Sequence, residues 1–187
     1  MSKAVMLSIR PKWCEKIASG EKTIEVRKTR PKLETPFKCY IYCTKDKHLA
    51  FMQNRFGTKL IACMDAETAI PVGGALGNGK IIGEFTCDRI YELAPLNHAP
   101  DDVEKQVCLT REEIVNYLKG TGYGWHIVNL KIYDTPRELS EFERPYECNE
   151  CDAKWATECN ACHKEGKIKR APQSWCYVEA MEEEETE

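Results

Sequence analysis

The stretch SIRPKWCEKIASGEKTIEVR, residues 8–27, carries more chemistry per residue than any other part of the chain. It reads as the end of a strand, a short helix over Pro11–Ser19, a turn at Gly20 and a second strand over Thr23–Val26. Pro11 suits a first helical turn, where its missing N–H has no partner to lose, and Trp13, Ile17 and Ala18 give that helix an apolar stripe. After the glycine, Lys22, Glu25 and Arg27 are interleaved with Thr23, Ile24 and Val26, the alternation of a strand. Strand side chains point alternately to two faces, so Glu25 and Arg27 share one, and Lys22 stands where the turn hands over to the strand. An exposed face with a weak ion pair is the ordinary reading of such a cluster. The other is a concave site that gathers all three charges.

Working outward, Val5–Ile9 reads as the first strand and Phe37–Cys43, alternating and aromatic-rich, as another. Between them Lys28–Pro36 holds two prolines and three basic residues and predicts a loop beside the charged cluster. Leu49–Phe56 reads as a short helix. Ile70–Gly79 is a glycine-rich connection without the spacing of a phosphate-binding loop. Lys80–Leu93 is the longest strand candidate, with Gly83 marking a bend of the kind a small barrel needs. Thr110 and Glu113 form a capping box ahead of a helix over Ile114–Leu118 that stops near Gly120. Thr121–Tyr133 predicts a turn and a strand with Trp125 and Ile127 on one face and His126, Val128 and Leu130 on the other. Asp134–Phe142 begins with a proline turn and predicts a short helix, and Ser174–Glu179 predicts a closing strand.

A chain of 187 residues suits one well-cored domain with an accessory module. Hydrophobic content of 42% and charged content of 30% match a soluble globular protein. The N-terminal apolar run Ala4–Leu7 falls short of a signal-peptide core or a membrane span, so the expectation is a cytoplasmic protein. The net charge of −3 hides an asymmetry: residues 1–47 hold 12 Lys/Arg against 5 Asp/Glu. The final segment MEEEETE, residues 181–187, predicts a solvated, disordered acidic tail outside the fold.

Eleven cysteines are many, and four fall in one window as Cys148, Cys151, Cys159 and Cys162, two CxxC knuckles seven residues apart. Thiolates on two adjacent turns can surround one tetrahedral metal, with zinc the first choice for a structural site and iron the second. Surface thiols in a loop are the alternative. Lys164, Lys167, Lys169 and Arg170 follow directly and would suit a nucleic-acid backbone as well as solvent.

Ser8, Ile9, Arg10, Pro11 and Trp13, followed after the helix by Gly20, Lys22, Thr23, Glu25 and Arg27, together resemble the signature of the ASCH domain, whose fold belongs with the PUA-like β-barrels. The segments GKIIGEFTCDRI, YGWHIVNLKIY and PQSWCYVE are similar to later parts of that family. The resemblance implies an α+β fold, a small PUA-like β-barrel with flanking helices, to which this chain adds an inserted four-cysteine metal knuckle. Residues 1–142 would form the first part of the barrel, 143–170 the zinc-binding insertion, 171–180 the closing strand and 181–187 the tail.

For function the resemblance implies an RNA or modified-nucleoside ligand, to which the paired CxxC spacing of this chain adds zinc as a structural cofactor. Arg10, Lys22 and Arg27 can meet phosphate, Trp13 or Trp125 can stack on a base, and Glu25 can accept from base amino groups, with His126 beside them. One branch of the family acts as amidohydrolases on N4-acetylcytidine through a lysine in the turn, a threonine three residues on and a downstream glutamate. Lys22 matches the lysine, but Glu25 stands at the threonine position, and the downstream acid is either Glu84 or Glu104. Lys22 and Glu25 are then the candidate catalytic pair, since burial lowers a lysine pKa and a neighbouring carboxylate can take its proton. A zinc-knuckle adaptor in transcription is the non-catalytic alternative.

Overall fold

The computed structural model describes residues 2–54, 56–66, 74–93, 98–145 and 166–181. In chain order the elements are β1 (Lys3–Ile9), α1 (Pro11–Ala18), β2 (Ile24–Arg27), β3 (Phe37–Cys43), β4 (Leu49–Asn54), β5 (Gly57–Ala62), β6 (Ala75–Leu76), β7 (Ile81–Glu92), α2 (Val103–Val107), α3 (Arg111–Leu118), β8 (Tyr123–Arg137), a 3-10 turn at Leu139–Glu141 and β9 (Trp175–Glu179). Six strands form one mixed sheet in the order β2-β8-β7-β3-β1-β9, and β5-β4-β6 form a smaller one.

The large sheet curls into a half-barrel because its two edges are brought face to face. β1 pairs in parallel with β3, placing Val5 opposite Cys39, and antiparallel with β9, placing Leu7 opposite Trp175. From the other side Trp125 of β8 comes within 6.0 Å of the Trp175 ring and 5.7 Å of Phe37. The interior cluster is built of Val5, Leu7, Ile9, Ile41, Phe85 and Trp125, with Cys14 and Ile17 of α1 packed into it. Ile24 and Val26, pointing the other way from β2, bury themselves against Val103, Val107, Ile114 and Leu118, which fixes α2 and α3 over that edge. This is an α+β barrel-like fold.

Gly83 stands where the alternation breaks. The β7–β8 register shifts between Ile81 and Gly83, and a Cβ there would lie 2.5 Å from the Lys131 carbonyl oxygen. The capping box forms as read: Glu113 N–H donates to Thr110 Oγ1 at 3.2 Å and Thr110 N–H donates to the Glu113 carboxylate at 2.8 Å. On β8, Asn129 has φ of 50°, so the alternation that runs from Tyr123 is interrupted there and Asn129 is exposed.

Two sequence expectations are corrected. Leu49–Phe56 is not a helix: Leu49–Asn54 is a strand paired on both sides, because Phe51 and Gln53 alternate into the interior while Asn54 and Gly57 turn the chain back, with Phe56 N–H donating to Asn54 Oδ1 at 2.9 Å. Asp134–Arg137 continues β8, and only Leu139–Glu141 turns helically. The four-cysteine window lies outside the described residues. The chain on either side of it is drawn together: Glu143 bridges Lys167, Arg144 N–H donates to Gly166 O at 2.8 Å and Ile168 N–H donates to Phe142 O at 2.8 Å. Phe142 and Ile168 are both buried, packed with Met6, Tyr40 and Val178. Among the described residues no helix is long and apolar enough to cross a membrane.

Candidate functional site

β1 runs into α1 at Arg10, which caps the helix in an extended conformation and lets Pro11 occupy its first turn. That junction sets Arg10 and Trp13 along one wall of a cavity of about 490 Å³. The floor comes from the turn and strand that follow, which supply Lys22, Glu25 and Arg27. α3 lines the cavity with Glu113 and Tyr117, four residues apart and therefore on one helical face, and Leu109, just ahead of the helix, adds an apolar contact.

The three floor charges are buried, with exposures of 3% for Lys22, 7% for Glu25 and 6% for Arg27. The ordinary reading of a solvated strand face is therefore excluded. Glu25 stands between the two cations and gives one oxygen to each: Oε2 is 3.5 Å from Lys22 Nζ and Oε1 is 3.0 Å from Arg27 Nη2. Lys22 Nζ also donates to the Val107 carbonyl oxygen at 2.9 Å and lies 5.2 Å from the centre of the Trp13 ring. Arg27 Nη1 donates to the Ser174 carbonyl oxygen at 3.1 Å and to its hydroxyl at 3.3 Å, and Nη2 donates to Ser8 O at 2.9 Å. Its Nε is buried without a hydrogen-bond partner among the described residues.

Two cations and one carboxylate leave the floor with a net positive charge, so it favours an electron-rich or anionic group. Burial holds the Lys22 ammonium below the usual lysine range, with the attraction of Glu25 pulling the other way. A buried ion triad is often replaceable by apolar residues at no loss of stability, which points to a role beyond holding the fold together. The arrangement can accept and donate hydrogen bonds at fixed positions, and its lysine is within reach of a carboxylate for proton transfer.

Of the residues singled out from sequence, Arg10, Trp13, Lys22, Glu25 and Arg27 are brought together here. Trp125 is elsewhere: it is fully buried in the barrel interior against Phe37 and Trp175 and does not line the cavity. His126 points to the other face of β8, where Nδ1 is 2.7 Å from Asp88 Oδ1 and the ring lies 6.3 Å from Tyr91. Glu84 accepts from the Tyr133 hydroxyl at 2.6 Å, and Glu104 faces Arg111 at 3.7 Å, so neither acid reaches the cavity. The second carboxylate on its lining is Glu113. Sequence reading recognised Glu113 only as a capping residue. The spacing of Glu113 and Tyr117 was the available signal, and it needed the helix to be placed before it meant anything. Ser174 was legible only as the start of the closing strand, with nothing to mark its bond to Arg27. Among the described residues no three of His, Cys, Asp and Glu gather as a metal set.

A curled mixed sheet whose first helix, second strand and third helix wall in a buried charge triad defines a barrel-like α+β protein with a charged cavity. The ASCH domain family matches residues 7–186, and the chain belongs to that family. It is similar to the crystal structure of ASCH from Zymomonas mobilis, at 15% identity over 94% of this chain and 87% of that one with a TM-score of 0.47. It is also similar to a point mutant of the same protein, at 15% identity over 95% and 91% with a TM-score of 0.49. No curated protein matches the chain.

Proposed function

We propose that the cavity binds a nucleoside of RNA, either free or as one nucleotide of a strand. The observation that carries this reading is Glu25, a buried carboxylate held by Lys22 and Arg27 at the bottom of a cavity that also presents the rings of Trp13 and Tyr117. A fixed carboxylate accepts from a base amino group, the rings offer stacking surfaces and the surplus positive charge suits a ring carbonyl or phosphate. The volume of about 490 Å³ falls within the range of about 300–1,000 Å³ usual for small-molecule sites. Calorimetric titration with the four nucleosides, their monophosphates and N4-acetylcytidine tests this. Binding of one of them should be abolished by Glu25→Gln with the circular dichroism spectrum kept, and no binding to any would end the proposal.

A second reading, hydrolysis of an N4-acetylcytidine-like nucleoside, is favoured by the lowered pKa of Lys22 beside a carboxylate. In it water adds to the acetyl carbonyl, its proton passes to Lys22 and on to the departing N4 amine, and acetate and cytidine are released. Acetate release that survives Lys22→Ala would remove it.

Zinc at Cys148, Cys151, Cys159 and Cys162 remains part of the proposal on the strength of the paired CxxC spacing. A protein-binding role for that segment in transcription is the reading to adopt if the cavity binds no nucleoside.

A further inference from the structure

Arg27 ends β2 inside the cavity, and the next few residues carry Lys28, Arg30 and Lys32 out of it along the surface, all exposed. Two of these cations sit over tyrosine rings: Lys28 Nζ is 5.5 Å from the Tyr117 centroid and the Arg30 guanidinium is 5.4 Å from that of Tyr123. Tyr117 belongs to the cavity wall, and Tyr123 pairs with Arg27 on β2 and with Glu92 on β7. One strand further, the Arg89 guanidinium lies 5.9 Å from the Tyr91 ring. Arg30, Lys32 and Arg89 then line a second, open cleft of about 760 Å³, with Glu34 as its one acidic lining residue.

Among the described residues, none of Lys28, Arg30, Lys32 and Arg89 forms an ion pair, on a chain with more acidic than basic side chains. A guanidinium resting on a ring keeps its N–H edge free, and that edge matches a phosphate in geometry and charge. Alternating rings and cations are what a single strand requires, since rings stack bases of any sequence while cations follow the backbone. The two depressions are near neighbours: Arg27 and Arg30 are three residues apart, so their Cα atoms are separated by at most about 10 Å.

We propose that the cleft beside Arg30, Lys32 and Arg89 is the backbone track of a single-stranded RNA that enters or leaves the cavity across Lys28 and Tyr117. This deepens the nucleoside reading of the cavity and rests on it for the anchored nucleotide. The track makes the chain a reader of strands, with the cavity selecting one base and the cleft supplying sequence-tolerant affinity.

The test compares a nucleoside 5′-monophosphate with a single-stranded oligoribonucleotide of about eight nucleotides, each titrated over a range of salt concentrations. The oligonucleotide should bind more tightly, with affinity falling as salt rises. Replacing Arg30, Lys32 and Arg89 together by alanine should weaken it by about tenfold or more and lower the salt slope by about two, at about 0.7 per lost phosphate contact, while monophosphate affinity stays unchanged. Should that variant fail to fold, the single exposed reversal Lys32→Glu reads the same slope. An oligonucleotide bound no better than the monophosphate, or an unchanged slope in the variants, overturns the track, as does binding of an acidic peptide with no oligonucleotide binding. Oligonucleotide binding that depends on the three cations without monophosphate binding keeps the track and sinks the cavity reading instead.

Discussion

Arg27 and Ser174 lie 147 residues apart in sequence, and the Arg27 guanidinium donates to the Ser174 carbonyl oxygen at 3.1 Å. The same group reaches Ser8 O at 2.9 Å, so one side chain from the β2 edge holds the β1 and β9 side of the half-barrel while forming part of the cavity floor. Closure of the sheet and charge in the site depend on one residue.

Arg27→Ala should therefore be strongly destabilising. It leaves Glu25 buried with Lys22 as its remaining cation and takes the Arg27 donor from the Ser8 and Ser174 carbonyl oxygens, the latter still accepting from Ser8 N–H, and removing one member of a buried ion pair costs about 3–5 kcal/mol. Urea denaturation reads this directly. The triple variant Lys22→Met/Glu25→Leu/Arg27→Met should recover most of the loss while binding no nucleoside, because apolar replacement of the whole buried triad leaves no charge uncompensated. Stability of Arg27→Ala equal to that of the parent would show that the seam is held by something else.

Lys22 predicts a pH dependence. Its folded pKa lies below the ordinary value of 10.5, so between the two the unfolded chain binds more protons than the folded one. Stability must then rise with pH through that window, from the folded value up to 10.5. Lys22→Met should flatten the slope, seen as the difference between the two proteins in denaturation midpoints taken from neutral to alkaline pH. Affinity for an anionic ligand should move the opposite way, falling as Lys22 loses its proton.

Glu113 has two separable duties. Its carboxylate accepts from Thr110 N–H, and that bond holds its pKa below 4.5, so its share of stability is present above that value and is lost as pH falls through the folded pKa. Glutamine can serve the same capping position. Glu113→Gln should leave the melting temperature nearly unchanged and alter nucleoside affinity or selectivity. Thr110→Ala should do the reverse, costing about 0.5–2 kcal/mol without touching the cavity lining.

Gly83→Ala should destabilise the sheet, because the new methyl would lie 2.5 Å from Lys131 O and 3.1 Å from Ile132 Cα. Backbone atoms cannot swing aside, and overpacking of this kind costs about 1–3 kcal/mol. Thermal melting of the variant beside the parent checks this, and an unchanged midpoint would show that the β7–β8 register shift absorbs the methyl.

Metal content offers an independent check on the cysteine window. Inductively coupled plasma analysis of the purified chain should find about one equivalent of zinc for four thiolates, and Cys148→Ser should release it. A chain free of both zinc and iron would remove the metal proposal and leave the cavity argument untouched.

The path from sequence to site was short for Lys22, Glu25 and Arg27, since period two on β2 and a turn residue before it decide their direction, and the apolar partners Ile24 and Val26 need the opposite face buried. It failed where direction depends on distant packing. Trp125 looked like a stacking surface, yet curling of the sheet turns it toward Phe37 and Trp175, contacts that no local pattern announces. The strand at Leu49–Asn54 was hidden because its pairing partners, β5 and β6, lie in weakly patterned sequence. α2 spans five residues and ends on Cys108 at φ of 59°, too short for a helical period to register.

The paired backbone at Glu143–Lys167 and Arg144–Gly166 has a consequence for how this scaffold can be edited. The two ends from which residues 146–165 depart and return are thus fixed by backbone pairing, and closing a shorter loop between them changes the entropy only slowly with size. Splicing Arg144 to Gly166 through a tight turn should yield a trimmed molecule that still seats its last strand.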